Sequence, residues 1–152
     1  MNEAYEMLKA HPFLAGMLPS EIALLAACAE PTVFGAGERV FDEGHDAQRF
    51  WLICTGRVRL DTVVPGRGPV VVETLGPGTV LGWSWVAPPH RWHFGAQALE
   101  TTTAVRMEVP AVRDVCDQYP AIGYRLMDGF VQVVIDRLQN TRIRLLDLYG
   151  GA

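Results

Sequence analysis

The sequence predicts a mainly β domain flanked by helices, and three observations carry that expectation. From Thr32 to Val109, short runs of Val, Thr, Leu and aromatic residues alternate with glycine turns, at a spacing of about 8–12 residues that suits an antiparallel sandwich or barrel. Residues 3–30 and 110–149 have helical composition bounded by proline and capping signals. The length of 152 residues fits a single domain, residues 1–152, able to bury an ordinary core.

Along the chain, Asn2 is placed to cap a first short helix that Pro12 ends or kinks. Ser20 precedes EIALLAACAE, with Glu21 in the first turn of a second helix, and Pro31 is expected to stop it. In the β tract the turns are FGAGE, DEGHD, CTGR, VPGRGP and LGPG; DTVV-PGRG-PVVVET is the clearest hairpin, since Pro65-Gly66 suits a type II turn. Gly44, Gly56 and Gly78 are explained by turns that need positive φ or leave no room for a Cβ. Helix resumes at about Pro110–Gln118, and after Pro120 one long helix runs to Tyr149, where Gly-Gly-Ala ends it.

That helix carries a seam. Tyr124, Met127, Val131, Val134, Leu138, Thr141, Leu145 and Leu148 alternate at spacings of three and four, as coiled-coil a and d positions do. Around Phe130–Ile135 the apolar residues spread beyond one seam, so the helix needs two partners. The favoured reading is its own barrel on one side and a second copy on the other, a homodimer; the alternative buries both stripes within one chain.

Composition narrows the function. Apolar residues make up 49%, charged residues 20%, and the formal charge is −4, so a basic nucleic-acid surface is not expected. No apolar run approaches the roughly 18–20 residues that cross a bilayer, and the N-terminus lacks the features of a secretion signal. Cys28, Cys54 and Cys116 are far apart without a C-x-x-C, which suits reduced thiols and a cytoplasmic protein.

The stretches HPFL (11–14), V-F-x-E-G (40–44), F-W-L-I-C-T-G-R-V (50–58) and L-x-P-G-x-x-x-G (75–82) together resemble the cyclic-nucleotide-binding domain of the catabolite-activator (Crp/Fnr) family. The resemblance runs from about His11 to the end of the long helix. It implies an α+β, double-stranded β-helix or jelly-roll barrel (32–109) with N-terminal helices (3–30) and C-terminal helices (110–149) that include a dimerisation helix. It also implies a ligand site. In the family the cyclic phosphate lies against a short helix beginning at F-G-E, where unpaired amides and the dipole suit an anion. An arginine about ten residues later pairs with the phosphate, the glutamate takes the ribose hydroxyl, and polar residues of the long helix touch the base. Activators of the family continue into a helix-turn-helix domain; this sequence stops at Ala152, so no recognition helix and no direct nucleic-acid binding are expected.

The ligand residues do not carry over cleanly. The counterpart of F-G-E is Leu81-Gly82-Trp83, so only the glycine matches. Counting back from Ala98, the arginine position falls on Trp92 and the next on His93, with Arg91 one place off and facing the other way on a strand. Losing both charged groups removes roughly 3–6 kcal/mol of charge-assisted hydrogen bonding if additive, a factor of about a hundred to ten thousand in affinity.

If residues 80–86 are extended, Trp83 and Trp85 share a face opposite Ser84, and Trp92 and Phe94 share one on the neighbouring segment. The rings then either close the cavity on themselves or wall a pocket for a planar or apolar ligand, with Arg91, His90 or His93 supplying polarity. Asn140, Thr141 and Arg142, in a stretch that resembles the family's base-contacting turn, either reach that ligand or are accounted for locally, Thr141 by bonding the Arg137 carbonyl. His90 and His93 alone do not make a metal site, and Ser84 with His93 lacks an orienting acid, so catalysis is not expected. The candidate ligand set is Gly82, Trp83, Ser84, Trp85, Arg91, Trp92, His93, Asn140, Thr141 and Arg142. The reading that follows is a regulatory module for a non-standard small effector, with no certain cofactor. The alternatives are an effector-free interaction subunit for a protein partner, or residual cyclic AMP or cyclic GMP binding.

Overall fold

Asn2 accepts the Ala4 amide hydrogen through its side-chain oxygen and so starts α1 (Glu3–Ala10), as its capping chemistry predicts. The computed structural model describes residues 2–150; the expected helix end at Gly-Gly-Ala therefore lies, past Gly150, outside the described residues. After α1 the chain makes a 3₁₀ turn (Pro12–Leu14) pinned by His11, whose Nε2 lies 3.0 Å from the Ile53 carbonyl and whose Nδ1 accepts the Phe13 amide.

The second helix, α2 (Pro19–Ala26), differs from expectation at both ends. Ser20 lies inside it. Pro19 takes the first helical position, which its fixed φ and missing N–H suit, and the Glu21 carboxylate accepts the Leu18 amide at 2.9 Å. The helix stops at Ala26, well before Pro31, which belongs instead to strand β1 (Ala29–Phe34). That strand is the edge of its sheet, where a missing backbone donor is tolerated.

The strands that follow are β2 (Arg39–Phe41), β3 (Arg49–Thr55), β4 (Val58–Val64), β5 (Gly68–Leu75), β6 (Val80–Leu81), β7 (Gly95–Ala98) and β8 (Thr102–Glu108). They form two four-stranded antiparallel sheets, ordered β1-β8-β3-β6 and β2-β7-β4-β5, which close into the jelly roll that the turn spacing and the resemblance imply. Gly44, Gly56 and Gly78 all have positive φ. The β4–β5 turn has Gly66 at φ 82° and an Arg67 amide bonded to the Val64 carbonyl, as a type II turn requires. Phe50, Leu52, Ile53, Val58, Leu60, Ala96, Val105 and Met107 are buried in one continuous core shared by the roll and the helices.

Helices α3 (Val109–Gln118) and α4 (Pro120–Gly150) close the chain. One stripe of α4, Ile122, Leu126 and Phe130, is buried against its own domain, with Val133 and Arg137 continuing it half-buried. The predicted seam lies elsewhere on the surface: Tyr124, Val131, Val134, Leu138, Thr141, Leu145 and Leu148 are exposed, and Met127 is half-buried against the core. The two apolar faces expected of this helix are thus separate.

Candidate functional site

The tryptophan-dense segment between β6 and β7 is not extended. It turns repeatedly from Ser84 to Pro89, because consecutive prolines at 88 and 89 remove two ladder donors. It is tied to the rest of the roll by an isolated bridge between Asp46 and Arg91, with the Ala47 amide on the His90 carbonyl, the Trp92 amide on the His45 carbonyl and the Gly44 amide on the Trp92 carbonyl. The expected face-sharing of Trp83 with Trp85 is therefore lost, and so is a helix N-terminus for an anion: residues 82–90 contain no helix.

Each indole goes to a different place. Trp92 turns into the roll, stacking on Phe41 at 3.8 Å between centroids and lying 6.0 Å from Trp51. Trp85 leaves the roll for its junction with the helices. It stacks on Phe50 at 5.2 Å, meets Phe130 of α4 edge-on at 5.1 Å, and receives the Arg113 guanidinium on its carbonyl. Trp85 is thus core, contrary to its place in the candidate ligand set. Trp83 stays half-buried at the mouth, stacked on His93 at 4.7 Å and edge-on to Phe94.

Ser84 is buried and serves the turn: its Oγ accepts the His93 amide and lies 2.8 Å from His93 Nδ1. Arg91 is on the outside, donating to the Gly44 carbonyl at 3.0 Å and lying 3.6 Å from Asp46. That outward placement is what its one-place offset implies. Arg142 is also exposed and approaches only Gln139. Thr141 bonds the Arg137 carbonyl at 2.9 Å, the local account of that residue, while still lining the cleft described below.

Inside the roll, Phe41, Leu60, Leu75, Val80, Gly82 and Trp92 leave about 10 Å³, room for one water at most. The larger space lies outside, between β5, Trp83 and α4. This cleft of about 200 Å³ is walled by Leu60, Val72, Trp83, Phe94, Val134 and Leu138, with Glu73, Arg137, Asn140, Thr141 and Arg144 as its polar groups. A wider hollow of about 340 Å³ lies beyond Arg137, between Pro12, Thr79 and Asp136, with Phe13 as its sole aromatic wall.

Arg137 and Glu73 are the residues that the sequence did not single out. Arg137 extends from α4 over the mouth of the roll, 3.1 Å from the Glu73 carboxylate and 3.5 Å from the Val80 carbonyl. Burial pulls its pKa below the usual guanidinium value, against the attraction of Glu73. Glu73, nearly buried on β5, also accepts the Asn140 amide at 2.7 Å. The signal for Arg137 is its place in the stripe Leu126, Phe130, Val133, Arg137, which keeps to one helix face. No local signal marks Glu73.

Among the described residues no cluster of three or more metal-ligating side chains occurs, and no helix is long and apolar enough to cross a membrane. The three cysteines are free, and burial raises the thiol pKa of each.

Comparison with known proteins places this geometry. A CRP-like cAMP-activated global transcriptional regulator of Mycobacterium tuberculosis is 28% identical over 143 residues, 94% of this chain and 62% of that protein; the chain therefore spans less than two thirds of that relative. Among solved structures, a cyclic nucleotide-binding domain from Methylobacillus flagellatus superposes with a TM-score of 0.81 at 17% identity, covering 95% of this chain and 81% of that one. The catabolite activator protein of Thermus thermophilus gives 0.71 at 22% identity, covering 91% and 63%. At such identities these structures speak for the fold. The model of the cyclic nucleotide-binding domain matches residues 31–119, from within β1 to the end of α3, and the chain belongs to that family.

Proposed function

We propose that this domain is a regulatory module that binds a small non-nucleotide effector in the cleft between Trp83 and α4 and passes its occupancy to that helix. The observation that supports it most is the contrast between the two spaces: about 10 Å³ inside the roll and about 200 Å³ beside Arg137. A cyclic nucleotide needs room in the first of these, which Trp92 occupies, and Arg91 is outside; Arg137, which borders both spaces, is held by Glu73. The name of the Mycobacterium tuberculosis relative supports a regulatory role; its activation by cyclic AMP is not carried over, because Trp92 stands where such a ligand would be.

The exposed seam of α4 supports a homodimer in which two such helices meet. The charge of −4 supports a signal sent through protein contact rather than by direct nucleic-acid binding by these residues, and the free cysteines support a cytoplasmic setting. Ser84 is buried and committed to His93, which supports a binding role over a catalytic one.

Thermal unfolding with added ligand tests this, since a ligand of the folded state raises stability by RT ln(1 + [L]/Kd). Millimolar 1-naphthoate or 1-naphthamide is expected to raise Tm and to quench Trp83; millimolar cyclic AMP or cyclic GMP is not. The effector-free reading, favoured by the filled roll, predicts no shift with any of the four. A shift with cyclic AMP alone would return the protein to ordinary nucleotide sensing.

A further inference from the structure

Glu73 is an unusual neighbour for the cleft. It is the sole carboxylate among the lining residues, it is almost fully buried, and both of its oxygens are taken by α4: one by Asn140 at 2.7 Å, the other by Arg137 at 3.1 Å. Those two residues are one turn apart, so a single side chain fastens strand β5 to the helix. The cleft otherwise holds two cations, Arg137 and Arg144, and Arg144 forms no ion pair among the described residues. The remaining walls are an indole, a phenyl ring and branched aliphatic side chains.

We propose that Glu73 is a built-in competitor for Arg137, and that the cleft takes a small aromatic monoanion whose carboxylate replaces that of Glu73. This rests on the reading that the cleft is the effector site. The charges support the class. Two guanidinium groups against one carboxylate leave the lining one positive charge in excess, so a neutral ligand leaves Arg137 latched and a monoanion completes the balance. The walls select a ring of one or two fused cycles that lies against Trp83 and Phe94. The exchange is close to neutral for Arg137, which trades one charge-assisted pair for another. Glu73 loses its partners but sits on an edge strand, from which its carboxylate reaches water. Binding therefore unfastens β5 from α4, and the ligand's preference for the unlatched arrangement is what makes occupancy readable at the helix.

Titration of 1-naphthoate and its neutral analogue 1-naphthamide into the wild-type chain, Glu73→Gln and Arg137→Met tests this, with circular dichroism to show that each variant is folded. Glu73→Gln keeps an acceptor for Asn140 and removes the competing charge; naphthoate is expected to bind it about tenfold more tightly, with naphthamide unchanged. Arg137→Met is expected to lose the preference for the anion. In the wild type, naphthoate and not naphthamide should speed hydrogen exchange of the β5 amides, a measurement that needs no variant. Equal binding of the acid and the amide by wild type and Glu73→Gln overturns the competition while leaving the cleft as a ligand site. Binding of neither compound by any of the three overturns both.

Discussion

Gly82 lies against the face of Trp92 so closely that a Cβ built at this glycine would sit 2.9 Å from Cζ3 of the indole. Its φ of 96° is also one that L residues rarely adopt. One glycine therefore does two things: it turns the chain out of β6 and leaves the space that Trp92 fills. In the family resemblance this glycine opens an anion site. Here the same backbone feature admits a side chain. Gly82→Ala is expected to lose about 2–4 kcal/mol, from positive-φ strain and overpacking together. Urea unfolding checks it through a lower midpoint at unchanged slope, with an altered near-ultraviolet dichroism from Trp92; an unchanged midpoint would mean that the indole has room to move.

The complementary change empties the roll. Trp92→Ala removes a ring packed between Phe41 and Trp51 and is expected to cost about 3–5 kcal/mol. The apolar cavity left behind has the shape of an indole, so free indole is expected to raise the Tm of the variant and leave the wild type unmoved. If indole stabilises both alike, the ring that it replaces was not filling the roll.

How much of this could be read from the sequence depends on whether the cause is local. Turns and helix starts are set by a few consecutive residues, so Gly66, Asn2 and the long helix after Pro120 were legible. Pro31 misled because its tolerance depends on β1 being an edge strand, a fact about sheet order. The indoles were placed in the right region but with the wrong neighbours. Nothing within LGWSWVAPPHRW says that Trp85 will meet Phe130, some 45 residues on, or that Trp92 will meet Phe41. Arg137 was available as the cation in a buried helix stripe; Glu73, its partner on a strand of exposed valines, was not.

His11 gives the fold a dependence on pH. It is buried, holds the Ile53 carbonyl and the Phe13 amide with its two ring nitrogens, and burial lowers its pKa from 6.5, outweighing its backbone hydrogen bonds. The neutral ring suits both bonds, since Nε2 donates while Nδ1 accepts. The unfolded chain binds this proton more readily than the folded one, so stability is full above about pH 6.5 and falls as pH drops toward the depressed folded value. Urea midpoints between pH 7.5 and 5.5 are expected to decline in the wild type and to flatten in His11→Gln, which is also less stable at pH 7.5. A slope that survives the substitution would assign the effect to other groups.

The seam of α4 makes the remaining prediction. Leu138 lines the cleft as well as the seam, so its substitution would confuse ligand binding with assembly. Leu145 lines none of the spaces described above and is half-exposed, as a residue awaiting a partner should be. Burying a carboxylate there is costly unless it is paired. In the homodimer reading, Leu145→Asp is expected to weaken association by at least a hundredfold, about 2.7 kcal/mol, while the folded roll keeps its Tm extrapolated to low concentration. Sedimentation equilibrium distinguishes the outcomes. A wild-type dimer that becomes a monomer in the variant supports the helix as the meeting surface. A wild-type monomer, or a dimer indifferent to Leu145→Asp, shows that two copies do not join along this face, and the cleft would then have to signal through a partner of another kind.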